Sequence, residues 1–323
     1  MRLVFRADAS PECGAGHVMR ISVLAEEAIT QGLECIFIGE IQGLHWLLNR
    51  INNMGFQETH SNFDTYKSNP NTDILILDSY TIPVELEEIE SKHWLYIVVI
   101  ADKLTPKYKS NLVIKPNLTS CNSIKERNSV LEGPEYILVR KLARSSKKFK
   151  KQNSPLKIMV SGGGTDTQNF AKSIATELEK VETIIEVHFF SNTEIVSKTG
   201  KLFVTHNIGE ELDRISEDAD LAFTTASTSA LEFIASKIPT GVVCAVNNQR
   251  EYYEQLGELN YAIQIGEFTS QKVYKLKSAN IKGLISDPEV RDRLTNNISN
   301  LIDANGASRI LSAIKENVTT LYT

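Results

Sequence analysis

Two stretches of this sequence combine glycines with side chains able to move protons or hold anions. The first is Asp8-Ala9-Ser10-Pro11-Glu12-Cys13-Gly14-Ala15-Gly16-His17-Val18-Met19-Arg20, where a first apolar run gives way to a first helical pattern. Gly14 and Gly16 allow close approach of backbone to a ligand. His17 falls at the start of the helix, where the positive end of the helix dipole favours the neutral imidazole. A neutral imidazole can take a proton as a general base. The alternative reading is a histidine that only caps or packs the turn. Asp78 and Tyr80 follow the apolar run DILIL, and Asp102 follows YIVVIA. Each stands at the carboxyl end of an expected strand, the edge at which doubly wound sheets bind ligands. Each is equally readable as a turn residue or a half-buried ring. A dinucleotide fingerprint would need a third glycine where Met19 stands. A P-loop would need Gly-Lys-Ser/Thr where the chain reads Gly16-His17-Val18. Neither cofactor motif is therefore expected here.

The second stretch is in two pieces. SGGGTD (161–166) places Gly162, Gly163 and Gly164 after a strand, either as a backbone nest for an anion or as a tight turn. TTASTSALEF (224–233) ends a strand at Thr225 and leads through small hydroxyl residues into a helix. The N–H groups at such a helix start suit a diphosphate. Ser227, Thr228 and Ser229 add hydroxyl donors. Glu232, one turn further in, could accept two hydrogen bonds from a ribose diol. The rival reading of Ser and Thr is ordinary N-capping. Asn248 and Gln249 precede another helix and could be polar contacts to a sugar, or a cap.

The elements that must position these residues alternate along the chain. The spacing predicts strands at 3–8, 35–39, 73–78 and 96–102, with helices at 17–30 and 41–51. The pattern restarts with strands at 156–164, 184–190, 201–207, 220–225, 241–246 and 261–266, a helix at 166–181, and a helical last fifty residues. Runs such as DILILD and YIVVIAD are apolar on both faces, as strands of a parallel sheet are. This βα alternation predicts an α/β chain of two doubly wound domains, 1–150 and 151–323. The run RKLARSSKKFKK carries seven basic residues from Arg140 to Lys151 and reads as a solvated linker between them.

Composition removes several classes of function. The 323 residues carry a net charge of −5, too acidic for a chain built mainly to hold nucleic acid. Apolar residues make up 41%, too many for intrinsic disorder. No apolar run reaches the roughly 20 residues of a membrane span, and the N-terminus reads as a strand, not a signal peptide. Cys13, Cys35, Cys121 and Cys244 form no Cys-x-x-Cys pair, so neither a zinc site nor a disulfide framework is expected. A cytoplasmic protein, monomeric because each half can cover its own sheet, is the expectation.

Several of these segments, taken in order, resemble the family of UDP-sugar hydrolases of the pseudaminic acid pathway (PseG-like). They are R-A-D-A-S-x-x-x-G-x-G-H-x-x-R (6–20), L-D-S-Y (77–80), L-E-G-P-E-Y-x-L-V-R (131–140), V-S-G-G-G-T-D (160–166), A-S-T-S-A-L-E (226–232) and N-N-Q (247–249). That family belongs to the MurG-like group with the GT-B fold, in which two Rossmann-like domains face a cleft. It acts on UDP-2,4-diacetamido-2,4,6-trideoxy-β-L-altropyranose. The resemblance implies that His17 is the catalytic base and that Tyr80 and Asn248 lie on the sugar side. Gly14, Gly16, Arg20, Asp78 and Gln249 would join them around the substrate. It implies that Glu232 holds the ribose, in a nucleotide site with Gly162 to Gly164 and Ser227 to Ser229. It also implies that the helix after Asp303 crosses back onto the first domain. Many GT-B relatives carry Gly-Gly-Ser-Thr where this chain has Thr225-Ala226-Ser227-Thr228. No Asp-x-Asp metal motif stands out, so neither metal nor organic cofactor is expected.

The sequence hardly separates such a hydrolase from an inverting glycosyltransferase, which would use the same fold, donor and base with a sugar hydroxyl in place of water. A non-catalytic nucleotide-sugar-binding module is a third reading, against which the presence of His17 in the glycine turn argues.

Overall fold

The structure is a computed structural model and describes residues 1–63, 66–79, 93–102, 110–119, 130–140, 142, 154–166, 168–209 and 211–321. Tyr80, Cys121 and most of the basic run 140–151 lie outside the described residues. The chain divides into two compact units, Met1–Val139 together with Asp303–Thr323, and Arg140–Ile302. The division thus falls at Arg140, the first residue of the basic run, whereas the sequence reading places the boundary at 150/151.

The first unit is built on seven strands: β1 (Arg2–Arg6), β2 (Glu34–Ile38), β3 (Glu58–His60), β4 (Asp73–Asp78), β5 (Tyr96–Ile100), β6 (Leu112–Lys115) and β7 (Val130–Glu132). They lie in the order β3-β2-β1-β4-β5-β6-β7, all parallel. The strand residues are apolar on both faces because both faces are covered. Leu3, Phe5, Ile74, Ile76, Val98 and Ile100 form one core, and Val4, Leu75, Leu77 and Val99 form another with Phe63 and Tyr66. Helix α1 (Gly16–Thr30) lays Val18, Ile21, Leu24, Ala25 and Ala28 into the first of these cores. It stops at Gly32, whose φ of +76° only a glycine adopts freely, while the N–H of Leu33 reaches back to the carbonyl of Ala28. Helix α2 spans His45–Asn53.

The second unit repeats the plan. Its strands are β8 (Leu156–Ser161), β9 (Ile185–Phe190), β10 (Leu202–His206), β11 (Leu221–Thr225), β12 (Thr240–Cys244), β13 (Ile263–Phe268) and β14 (Tyr274–Leu276). Their order is β10-β9-β8-β11-β12-β13-β14, parallel except for β14 against β13. The described helices are α3 (Phe170–Leu178), α4 (Leu212–Ser216), α5 (Thr228–Ala235), α6 (Arg250–Glu258), α7 (Ser278–Ser286) and α8 (Pro288–Ile298). The helix expected from Asp166 begins only at Phe170, because Asp166 and Asn169 both take left-handed φ values. The helix expected from Ile41 begins at His45.

In both sheets the strand order reverses at one point. In the first unit the switch lies between β1 and β4, and in the second between β8 and β11. In open α/β sheets the crevice outside the carboxyl ends of the strands at such a switch is where ligands bind. The glycine turn with His17 and the carboxylate of Asp78 flank the first switch. The triple glycine and the Ser/Thr turn flank the second.

The last helix, α9 (Gly306–Thr320), returns to the first unit and packs Ile310, Leu311, Ile314 and Val318 into the core that α1 occupies. Gly306 starts it because a Cβ there would sit 2.4 Å from the carbonyl oxygen of Ile137. Arg309 ties the same turn to the carbonyl of Glu135 at 3.0 Å. Ile314 is fully buried in this contact. Ile314→Ala should cost the first unit about 2–4 kcal/mol, the usual price of a large-to-small change in a core. Urea unfolding followed by circular dichroism measures it, and a loss below about 1 kcal/mol would mean that α9 packs loosely.

Candidate active site

In the first unit the chemistry gathers around one buried carboxylate. Strand β4 ends at Asp78, which is 1% exposed, and α1 opens beside it. The turn between β1 and α1 is tight: Ser10 Oγ accepts the N–H groups of Glu12 and Cys13 at 3.2 Å each, and Gly14 bonds the carbonyl of Ser10 at 2.8 Å with φ of +83°. Gly16 then begins the helix and His17 follows at once. The His17 Nδ1 lies 2.6 Å from Asp78 Oδ1. Arg20, one turn along α1, donates Nε to Asp78 Oδ2 at 2.8 Å and Nη2 to Asp78 Oδ1 at 2.7 Å. Its Nη1 bonds Asp102, and Nη2 lies 3.2 Å from His17 Nδ1. A carboxylate can only accept, so the shorter contact makes Nδ1 the protonated nitrogen. The lone pair of the ring then sits on Nε2. Burial opposes the charge of Arg20, but Asp78 and Asp102 more than offset it and hold the guanidinium protonated. A buried carboxylate that orients an imidazole through Nδ1–H and stabilises its protonated form is what general-base catalysis requires.

In the second unit the two glycine- and hydroxyl-rich turns meet. Gly163 has φ of +87°, and a Cβ on it would lie 3.4 Å from Thr225 Oγ1 and 3.9 Å from Ser227 Oγ. Thr225 Oγ1 donates to Ser227 Oγ at 3.0 Å. Ser227 holds the N-cap position of α5, yet its side chain makes no capping hydrogen bond. Ordinary N-capping therefore does not account for this hydroxyl. Thr228 and Ser229 form the half-buried first turn of α5. N–H groups and hydroxyls converge there with the positive end of the helix dipole, an arrangement suited to a diphosphate.

Glu232 lies one turn into α5 and is 3% exposed. Both of its oxygens are held by Arg140, Oε1 by Nε at 2.7 Å and Oε2 by Nη2 at 3.0 Å. The fork-to-fork pair fixes the carboxylate plane and leaves one further lone-pair direction on each oxygen. In the sequence Arg140 reads as the start of a linker and the end of the L-E-G-P-E-Y-x-L-V-R segment, with no partner assigned. No local pattern announces a partner 92 residues away.

The remaining expected residues separate. Asn248 is exposed on the turn Asn247–Gln249. Gln249 turns its Oε1 back to accept the N–H of Ala245 at 3.0 Å, so its side chain caps the turn. Gly164 is half-buried in the glycine turn, and Tyr80 lies outside the described residues. Cys13, Cys35 and Cys244 are free thiols. Among the described residues no three His, Cys, Asp or Glu side chains gather to hold a metal ion, and no helix is long and apolar enough to cross a membrane.

Asp166 was missed as an organiser of the glycine turn. Its carboxylate accepts the first N–H groups of α3, from Phe170 at 2.8 Å and Ala171 at 3.4 Å. Gly162 must be glycine beside it, since a Cβ would fall 2.0 Å from Asp166 Oδ1. Burial pushes this carboxyl from its ordinary 3.8 up to about 6, against the two N–H donors that oppose the shift. The folded state thus binds a proton that the unfolded chain has already lost, so the contribution of Asp166 to stability falls as pH rises from about 4 through about 6. The loss should be on the order of 2 kcal/mol. Asp166→Asn, which cannot ionise, should remove that slope. Thermal unfolding across this range checks it, and an equal slope in both proteins would be the contrary result.

No family model matches the chain. The chain is 23% identical over 290 residues to a UDP-2,4-diacetamido-2,4,6-trideoxy-beta-L-altropyranose hydrolase of Campylobacter jejuni, which covers 82% of this chain and 99% of that protein. It is 24% identical over 283 residues to an uncharacterized protein of Methanocaldococcus jannaschii, covering 79% of this chain and 58% of that one. Among solved structures it is similar to the calicheamicin glycosyltransferase CalG4, with a TM-score of 0.67 at 12% identity over 100% of this chain and 99% of the other. It is similar also to Acinetobacter baumannii MurG, with a TM-score of 0.63 at 11% identity over 98% and 100%. Two parallel-dominated seven-stranded sheets with these neighbours establish the GT-B fold, with its two Rossmann-like domains.

Proposed function

We propose that this chain hydrolyses the C1–O bond of a UDP-activated deoxyamino sugar, UDP-2,4-diacetamido-2,4,6-trideoxy-β-L-altropyranose, releasing UDP with inversion at C1. Such a step belongs to pseudaminic acid biosynthesis. The observation that carries the reading is the imidazole of His17 held through Nδ1 by the buried carboxylate of Asp78 at 2.6 Å. The Campylobacter jejuni relative supports the choice of substrate.

UDP is a good leaving group, so the reaction needs no strong general acid. It needs a water on the face opposite the diphosphate, a base for its proton, and stabilisation of the departing charge. His17 Nε2 takes the proton as the water oxygen bonds to C1. The C1–O bond to the diphosphate breaks, and its electron pair leaves with UDP. Asp78 stabilises the imidazolium that forms, in the manner of the carboxylate in a catalytic triad. In the second unit, the N–H groups of α5 and the hydroxyls of Ser227, Thr228 and Ser229 meet the diphosphate with dipoles already in place. Glu232, held by Arg140, offers its remaining lone pairs to the ribose diol. A single displacement inverts the anomeric centre.

Incubation of the protein with the UDP-sugar alone should release UDP, measured by coupled assay. A glycosyltransferase would release it only when a sugar acceptor is added, and that outcome would replace hydrolysis by transfer. His17→Asn should lower kcat by about 100-fold or more with KM nearly unchanged, because the base acts only in the transition state. A parental kcat in this variant would place the base elsewhere. Glu232→Gln should weaken UDP binding by about tenfold, the scale of one hydrogen bond to a charged group. Calorimetric titration of UDP reads this, with circular dichroism to confirm the fold, and an unchanged Kd would remove Glu232 from the nucleotide site.

A further inference from the structure

We propose that Arg20 is the positioning residue of the His17 base: it fixes the Asp78 carboxylate against the imidazole and shares that carboxylate's charge. The inference rests on the reading of His17 as the base. It departs from the substrate contact that the position of Arg20 in the glycine turn suggested.

The geometry leaves the guanidinium little to offer a substrate. Its Nε and Nη2 form a fork, and that fork is turned onto the two oxygens of Asp78 at 2.8 and 2.7 Å. Its third nitrogen, Nη1, is spent on Asp102. The side chain is 12% exposed. Among the described residues, the charged groups seen to act on the imidazole include Asp78 at the end of β4, Arg20 from the next turn of α1, and Asp102 beyond β5, through Arg20.

A buried carboxylate orients the imidazole but also favours the imidazolium, whose two ring N–H groups leave no lone pair for a proton. Arg20 changes this in two ways. It shares Asp78 Oδ1 with His17, so that oxygen divides its charge between two donors. It also brings a positive nitrogen to 3.2 Å from Nδ1, which opposes a second positive charge on the ring. The same fork stops the carboxylate from rotating, and Asp102 stops the arginine from swinging away. When the proton arrives on Nε2, the carboxylate is already in place.

The test compares the parent with Arg20→Gln and Arg20→Lys in two measurements. One is NMR titration of the His17 imidazole, and the other is the pH profile of UDP release from the UDP-sugar. In Arg20→Gln the protonation midpoint of His17 and the acid limb of the profile should move together to higher pH. Below neutrality kcat should fall by about tenfold or more, with KM nearly unchanged. Arg20→Lys keeps the charge but cannot hold both oxygens at once. It should return the midpoint towards the parent value while kcat stays reduced. A midpoint that does not move in Arg20→Gln, or a raised KM with parental kcat, would make Arg20 a substrate contact and overturn the proposal. Should Arg20→Gln fail to fold for want of a partner for its two carboxylates, a folded Arg20→Lys with parental kcat overturns it equally. A parent that releases no UDP from the UDP-sugar alone sinks the hydrolase reading, while the His17 midpoint still decides what Arg20 does.

Discussion

A carboxylate taken out of water must be compensated on every side, and the first unit is arranged around that requirement at Asp78. Its charge would be intolerable at 1% exposure without donors. Three N–H groups supply them, one from His17 and two from Arg20. Both partners ride on α1, so the helix cannot slide or rotate without leaving the charge bare. The helix is in turn held by its apolar face against β1 and β4, which run side by side at the switch of the sheet. The position of the His17 ring is thus tied to the packing of a whole core.

The second unit solves a related problem with backbone. Its turns after β8 and β11 carry few charges of their own and many N–H and hydroxyl groups. Gly162 is there because a side chain would collide with Asp166, and Gly163 because its φ of +87° favours glycine. Asp166 closes the start of α3 from within the loop and does so with a carboxyl pushed up to about 6. The one strong ion pair of this region that the structure describes, Arg140 with Glu232, stands a turn away from the helix start.

Much of this was open to reading in the sequence, for definite reasons. Strands buried on both faces, such as DILILD and YIVVI, announce themselves as unbroken apolar runs. Strands β3, β6, β7 and β14 escaped because three or four residues are too few to show a period. The start of α3 was misplaced by four residues, since left-handed Asp166 and Asn169 look like helix in a pattern of apolar spacings. The glycine turn that carries His17 was legible because it stands at a strand–helix junction. The ion pairs of Arg20 were not. Its partners lie 58 and 82 residues away, and only the order of the strands brings them together.

The return of α9 to the first unit sets an order of events at the ribosome. The chain is made from its amino end, so β1 to β7 and α1 emerge first. The apolar face that Ile310, Leu311, Ile314 and Val318 will cover stays bare while the whole of Arg140–Ile302 is synthesised. The second unit has all of its strands before the first has its last helix. Its glycine and hydroxyl turns can therefore be complete on a nascent chain while α1, which carries His17, still lacks part of its covering.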